Sequence, residues 1–306
     1  MSNSAGTLES LSDALAGAVE QGARSVVAVH ARPRLASTGV HWRDGLVVTT
    51  DGTVRRTEGM SITLPDGRTV DATLAGRDPG TDLAVLRIAP GLLPVAKPQT
   101  IAPRPGHLVL AIGRIDDSGP RSSFGAVSSV GGAWRSWRGG EIDARLQSDL
   151  VIYPGFGGGP LIDVSGSTLG INSGGLSRPL ATTIPARTVE RVLSALLAKG
   201  YVARGYIGAA LQAVRFSPAA QQRIGLPGRG GLVVLEVDPD GPASVGGLLL
   251  GDVVTTANGV ALESPEDLMR LLGTNAVGTT IRLEVVRGGT RTTAEILVGE
   301  RPRRSA

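Results

Sequence analysis

Few side chains in this 306-residue chain are equipped to make or break bonds. There is no cysteine, which excludes disulfides, thiolate nucleophiles and thiolate metal sites alike. The three histidines, His30, His41 and His107, are scattered, so no histidine-rich metal centre forms. Each falls in or beside a strand-like run and reads as a packed or solvent-facing imidazole with no partner for general-base work. Two glycine-rich stretches remain. Pro154-Gly155-Phe156-Gly157-Gly158-Gly159-Pro160-Leu161 makes a tight loop without a hydroxyl. Asn172-Ser173-Gly174-Gly175-Leu176 does place a hydroxyl among glycines, but a short motif without its context is weak, and Ser173 reads as an ordinary strand-end serine. Lys97 and Lys199 are the only lysines among 31 basic residues, so 29 are arginine, set against 27 acids for a net +4. No aromatic residues interleave with Arg55-Arg56 or with Arg301, Arg303 and Arg304. The arginines therefore describe solvated charge, and no nucleic-acid partner is expected.

The elements that must position these residues follow from composition and periodicity. With 41% hydrophobic and 19% charged residues the chain can bury a sizeable core, and its length suits two domains. The 44 glycines and 19 prolines, beside only three each of Phe, Trp and Tyr, favour short strands and tight turns. Leu8, Leu11, Leu15 and Val19 predict an amphipathic helix over residues 7–21. Short β-branched runs from Ser25 to about Ile184 predict a barrel or sandwich. Val189, Val192, Leu193, Leu196 and Leu197 then mark a closing helix that stops at Gly200. Beyond it the pattern is α+β, with a helix opened by Ser264 and Pro265 and a hairpin turning on Gly288-Gly289. No stretch reaches the ~20 apolar residues of a membrane span. The first residues lack a basic region followed by an apolar one, so a cytoplasmic protein is expected.

Several stretches, in one order, resemble the HtrA/DegP family of trypsin-like serine proteases with a C-terminal PDZ domain. Thr81-Asp82-Leu83-Ala84-Val85-Leu86-Arg87-Ile88 is similar to the segment around the family's triad aspartate. Ala111-Ile112-Gly113, Gly125-Ala126-Val127, Gln147-Ser148-Asp149 with the 154–161 loop, and Gly170-Ile171-Asn172 resemble the segments that follow it. Arg204-Gly205-Tyr206-Ile207-Gly208-Ala209, the 231–237 run, Asp238-Pro239-Asp240-Gly241-Pro242-Ala243 and Asn258-Gly259 resemble the PDZ core. The resemblance covers roughly residues 10–299. It implies a mostly β protein: an N-terminal amphipathic helix (1–24), a trypsin-like Greek-key double β-barrel (25–200), an α+β PDZ domain (201–300) and a basic tail (301–306).

The resemblance also exposes departures. Its general-base histidine falls on Gly52 and its nucleophilic serine on Gly157, leaving Asp82 as the one triad member present. Acyl transfer needs an attacking oxygen and an imidazole to carry its proton, and glycine supplies neither. The amides of Gly155 and Gly157 would keep an oxyanion-hole-like pair of donors. Phe156, in the place of an asparagine, is expected to crowd a substrate carbonyl. The expectation is a catalytically inactive HtrA-like protein, a pseudoprotease, that binds unfolded chains or C-terminal peptides as a chaperone, adaptor or scaffold in protein quality control. The alternative is an HtrA-type serine endopeptidase with a rearranged site. By the same resemblance, the amides of Ile207, Gly208 and Ala209, preceded by Tyr206, would take a peptide's carboxylate, with Arg204 adding charge if it points inward. Leu211, Leu268 and Leu272 would join Ala209 in an apolar pocket. Assembly as a trimer is implied through the N-terminal stripe, which equally suits capping a barrel. No cofactor or metal is called for.

Overall fold

The computed structural model describes residues 2–33, 35–99, 101–176, 181–226, 228–273 and 276–301. The expected tail arginines Arg303 and Arg304 lie outside them. The chain divides into two compact units, Met1–Val202 and Ala203–Ala306.

The first unit opens with α1 (Ser2–Ala23), whose later turns carry Leu15, Ala18, Val19 and Ala23 on one face. That face packs on Leu110, Ile112 and Ile162. Leu8 and Leu11, earlier on the stripe, stay exposed at 68% and 43%, so only half the stripe caps a barrel. Six strands then close the first barrel: β1 (Val26–His30), β2 (Ser37–Arg43), β3 (Leu46–Thr49), β4 (Met60–Thr63), β5 (Thr69–Asp78) and β6 (Leu83–Arg87), in the order β1-β2-β3-β6-β5-β4. Closure leaves no edge strand, and alternate residues such as Val27 and Val29 of β1 fill the interior while Val26 packs under α1.

The second barrel repeats the plan with β7 (Leu108–Gly113), β8 (Arg121–Gly131), β11 (Arg145–Ser148), β12 (Pro160–Asp163), β13 (Thr168–Ser173) and β14 (Ala181–Pro185). They close in the order β11-β14-β13-β12-β7-β8. The short pair β9 (Trp134–Arg135) and β10 (Glu141–Ile142) projects between β8 and β11. Helix α2 (Ala186–Lys199) buries Val189, Val192, Leu193 and Leu196 against Val40, Trp42, Leu83, Val85 and Ile171, which come from strands of both barrels. One helix face thus ties the two barrels to a shared core.

The second unit is a sheet ordered β16-β17-β18-β20-β21, formed by β16 (Ala209–Arg215), β17 (Gly230–Val237), β18 (Val253–Ala257), β20 (Thr280–Arg287) and β21 (Thr290–Leu297). A side strand β19 (Val260–Ala261) pairs β18, and a small ladder joins β15 (Gly205–Tyr206) to β22 (Gly299–Glu300). Helices α3 (Pro218–Ile224), α4 (Pro242–Val245) and α5 (Pro265–Leu271) complete it. The N-terminus of α5 is fixed by a capping box between Ser264 and Asp267, with Pro265 in the first turn. The structure is therefore mostly β, a trypsin-like double barrel followed by a PDZ fold. The strand expected over Tyr206–Val214 is broken: Gly208 sits at φ +74, and a Cβ there would press within 3.2 Å of the Gly241 Cα. Only glycine turns the chain at that point without strain.

Candidate functional site

In the first unit, a cleft is built on Asp82, the residue that follows a turn fixed by Asp78. The Asp78 carboxylate accepts from the Gly80 amide (3.2 Å) and from the Thr81 hydroxyl (2.7 Å). This presents Asp82 at φ 56, a left-handed conformation that aspartate tolerates better than most residues. Asp82 is 5% exposed. Its Oδ1 accepts the Gly52 amide at 2.9 Å and its Oδ2 the Ser173 hydroxyl at 2.6 Å. Burial pushes the Asp82 carboxyl above the usual carboxylate range, against the opposing pull of the Ser173 and Gly52 hydrogen bonds.

Gly52 lies in a single 3₁₀ turn, Asp51–Thr53, directly after β3. A Cβ built on it would meet only Asp82 Oδ1, at 3.4 Å. A Cβ built on Gly157 would meet the Thr50 hydroxyl at 3.6 Å and the Thr53 methyl at 3.9 Å. Thr50 and Thr53 flank Gly52 on the same turn, so positions 52, 82 and 157 converge although they come from three separate loops. The three positions therefore border one cleft. Ser173, at the end of β13, completes it. Its hydroxyl is buried, donates to Asp82 and accepts the Gly175 amide at 3.1 Å.

The 154–161 loop is held rigidly. The Gly158 amide donates to Asn172 O (2.9 Å) and the Thr38 hydroxyl donates to Gly155 O (2.7 Å). Gly158 has φ +90 and lies so close to the Thr38 carbonyl that a Cβ would overlap it. The amides of Gly155 and Gly157 donate to no other described residue. Phe156 does not crowd the cleft, contrary to expectation. Its ring is 1% exposed, packs edge-to-face on Tyr153 at 5.5 Å and fills the space that a side chain at Gly113 would occupy. An apolar ring gains more from the barrel core than from a solvated rim, so it turns inward.

None of the three imidazoles reaches this cleft's hydrogen bonds. His30 bonds the Thr63 hydroxyl (2.9 Å). His41, fully buried, uses Nδ1 on the Pro94 carbonyl (3.1 Å) and accepts the Gly45 amide on Nε2 (3.0 Å). His107 pairs with Arg104. Beside Gly52, the side chain of Asp51 is paired with Arg77 and lies 3.9 Å from Arg138, which stacks over Trp137. Sequence reasoning missed Asp78, Thr50, Thr53 and Asp51. The Asp78-Pro79-Gly80-Thr81-Asp82 turn signature was the available signal for the first.

In the second unit, a groove of about 220 Å³ runs between α5 and β16. Ala209, Leu211, Leu268 and Leu272 line it together with Tyr206, Ile207 and Gly208. Strand β16 is an edge, paired on one side only with β17. The expected lining residues therefore meet, with one exception: Arg204 is not among them, and Arg301 is. Pro265 and Met269 also line the groove and were missed, although positions 265, 268, 269 and 272 follow helical i, i+3, i+4, i+7 spacing.

The trypsin-like peptidase domain profile matches residues 37–171 and the PDZ domain profile residues 205–298. The solved HtrA-type protease AlgW with tripeptide is 30% identical, with a TM-score of 0.75 over 95% of this chain and 98% of that one. The serine endoprotease from Yersinia pestis gives 29% and 0.77, covering 94% and 98%. A probable periplasmic serine endoprotease DegP-like of Brucella suis biovar 1 (strain 1330) is 38% identical over 268 residues. The match takes in 84% of this chain and 51% of that protein. A protein of the same description from Pseudomonas fulva (strain 12-X) is 34% identical, covering 85% and 54%. The chain thus spans about half the length of the curated relatives it matches. Their names overturn the cytoplasmic expectation, since these relatives are called periplasmic. No helix among the described residues is long and apolar enough to cross a membrane.

Proposed function

The chain belongs to the HtrA/DegP family of trypsin-like serine endoproteases with a PDZ domain; although its relatives are named as proteases, we propose that this chain binds polypeptides without cleaving them. The observation that carries this reading is the pair Gly52 and Gly157 beside a buried Asp82. The aspartate has an amide and a serine hydroxyl for partners where an imidazole would stand, and no side-chain oxygen exists at position 157. An aspartate orients a base but does not replace one. What remains is binding equipment: the Gly155 and Gly157 amides for a carbonyl, and the groove at the β16 edge for a C-terminal segment added as a further strand. Partners are unfolded chains or peptide C-termini, met outside the cytoplasm as the relatives' names have it. Copies of the chain associate through the exposed Leu8 and Leu11. Incubation with casein and with a fluorophosphonate probe is the test; neither fragments nor a covalent adduct are expected.

A second reading is endopeptidase activity through a rearranged site, favoured by what the relatives are named and by the Ser173–Asp82 hydrogen bond. Turnover abolished by Ser173→Ala would establish it and defeat the first.

A further inference from the structure

Among the residues lining the α5–β16 groove only one is charged, and it is Arg301. This residue follows β22, whose ladder with β15 sets Glu300 opposite Gly205 and Gly299 opposite Tyr206. The Arg301 amide continues the ladder by donating to Arg204 O at 2.9 Å. Arg301 is thereby held at the start of the Gly205–Ala209 segment, all of which lines the groove. A Cβ on Gly205 would fall 2.8 Å from Leu272 O, so the end of α5 closes against β15 at the same place. Arg301 is exposed and makes no ion pair among the described residues. Of the two acids on α5, Glu266 and Asp267, neither lines the groove, and Asp267 is already held by the Glu263 and Ser264 amides and by Arg270.

We propose that Arg301 is the charge partner of a bound peptide's terminal carboxylate. The proposal rests on the peptide-binding reading above. A guanidinium stays charged at any working pH and offers a planar pair of donors that matches a carboxylate. Because the site is open to water, the expected gain is a modest three- to fivefold or so in affinity, screened further by salt.

The test uses the full chain and the tightest binder from a C-terminal peptide library, prepared as free acid and as amide. Arg301→Gln should weaken the free acid about three- to fivefold, leave the amide unchanged and flatten the salt dependence. Arg301→Lys should retain most of the affinity. Equal weakening of both peptides would make Arg301 a packing residue, and an acid-specific loss in Arg204→Gln alone would move the role to Arg204; either overturns the proposal. If the unaltered chain binds acid and amide equally, or binds nothing, the peptide-binding reading itself fails and this proposal with it, before any variant is compared.

Discussion

Installing the histidine and serine that the proposed reading finds missing is the most direct challenge to the geometry of the cleft. The double substitution Gly52→His and Gly157→Ser adds a Cβ at each position. At 52 that atom meets only Asp82 Oδ1 at 3.4 Å, and at 157 only Thr50 and Thr53 at 3.6 and 3.9 Å, all ordinary van der Waals contacts. Neither glycine has positive φ, so the backbone accepts a side chain without strain. Replacing glycine at such positions removes freedom from the unfolded chain, and stability should hold or rise by about 0.5–1 kcal/mol. The imidazole would then lie between Asp82 and the new hydroxyl, with the Gly155 and Gly157 amides ready for the developing oxyanion. A correctly placed general base contributes typically 10²–10⁴-fold, so casein turnover should exceed the background of the unaltered chain by at least ~10²-fold. Urea unfolding gives the stability, and labelled casein with fluorophosphonate trapping gives the activity. A double variant that folds normally yet neither labels nor cleaves would refute the claim that positions 52, 82 and 157 form one constellation.

Gly158→Ala, at φ +90 and against the Thr38 carbonyl, should by contrast cost more than about 2 kcal/mol in the same urea experiment. Ser173→Ala removes a buried donor from Asp82: the loss should be about 1.5–3 kcal/mol while the carboxylate is ionised and should shrink toward about 1 kcal/mol as falling pH protonates it, read from urea unfolding across a pH series. Because burial raises the folded-state pKa of Asp82, the unaltered chain loses stability as pH climbs from the unfolded carboxylate value to the folded one. Asp82→Asn should flatten that slope in unfolding curves collected across the range. Burial also pushes Asp252 upward, but Arg287 and the Leu249 amide outweigh it and hold its carboxyl low. Arg287→Ala should accordingly cost about 3 kcal/mol at neutral pH, a loss that shrinks as pH falls through the lowered Asp252 value. Leu268→Asp, which puts a charge into the groove floor, should abolish capture of C-terminal peptides measured by fluorescence polarisation.

Much of this protein is fixed by local chemistry that a sequence displays. The closing helix is legible because Val189, Val192, Leu193 and Leu196 repeat at helical spacing and Gly200 stops it. The start of α5 is legible in Ser264 and Pro265, and the last hairpin in Gly288-Gly289. The glycines at 52 and 157 are likewise plain in the chain, and the proposal that they stand at the base and nucleophile positions comes from the order of its motifs. What no local pattern contains is the direction in which a side chain turns when two distant segments compete for it. Phe156 goes into the barrel because Gly113, 43 residues away, leaves room for its ring. Ser173 gives its hydroxyl to Asp82 because β13 ends where the Asp78 turn delivers that carboxylate. Arg301 takes the groove position expected for Arg204 because the β15–β22 ladder brings the end of the unit back beside its beginning. These outcomes depend on burial and long-range pairing, which are properties of the packed chain and have no period along it.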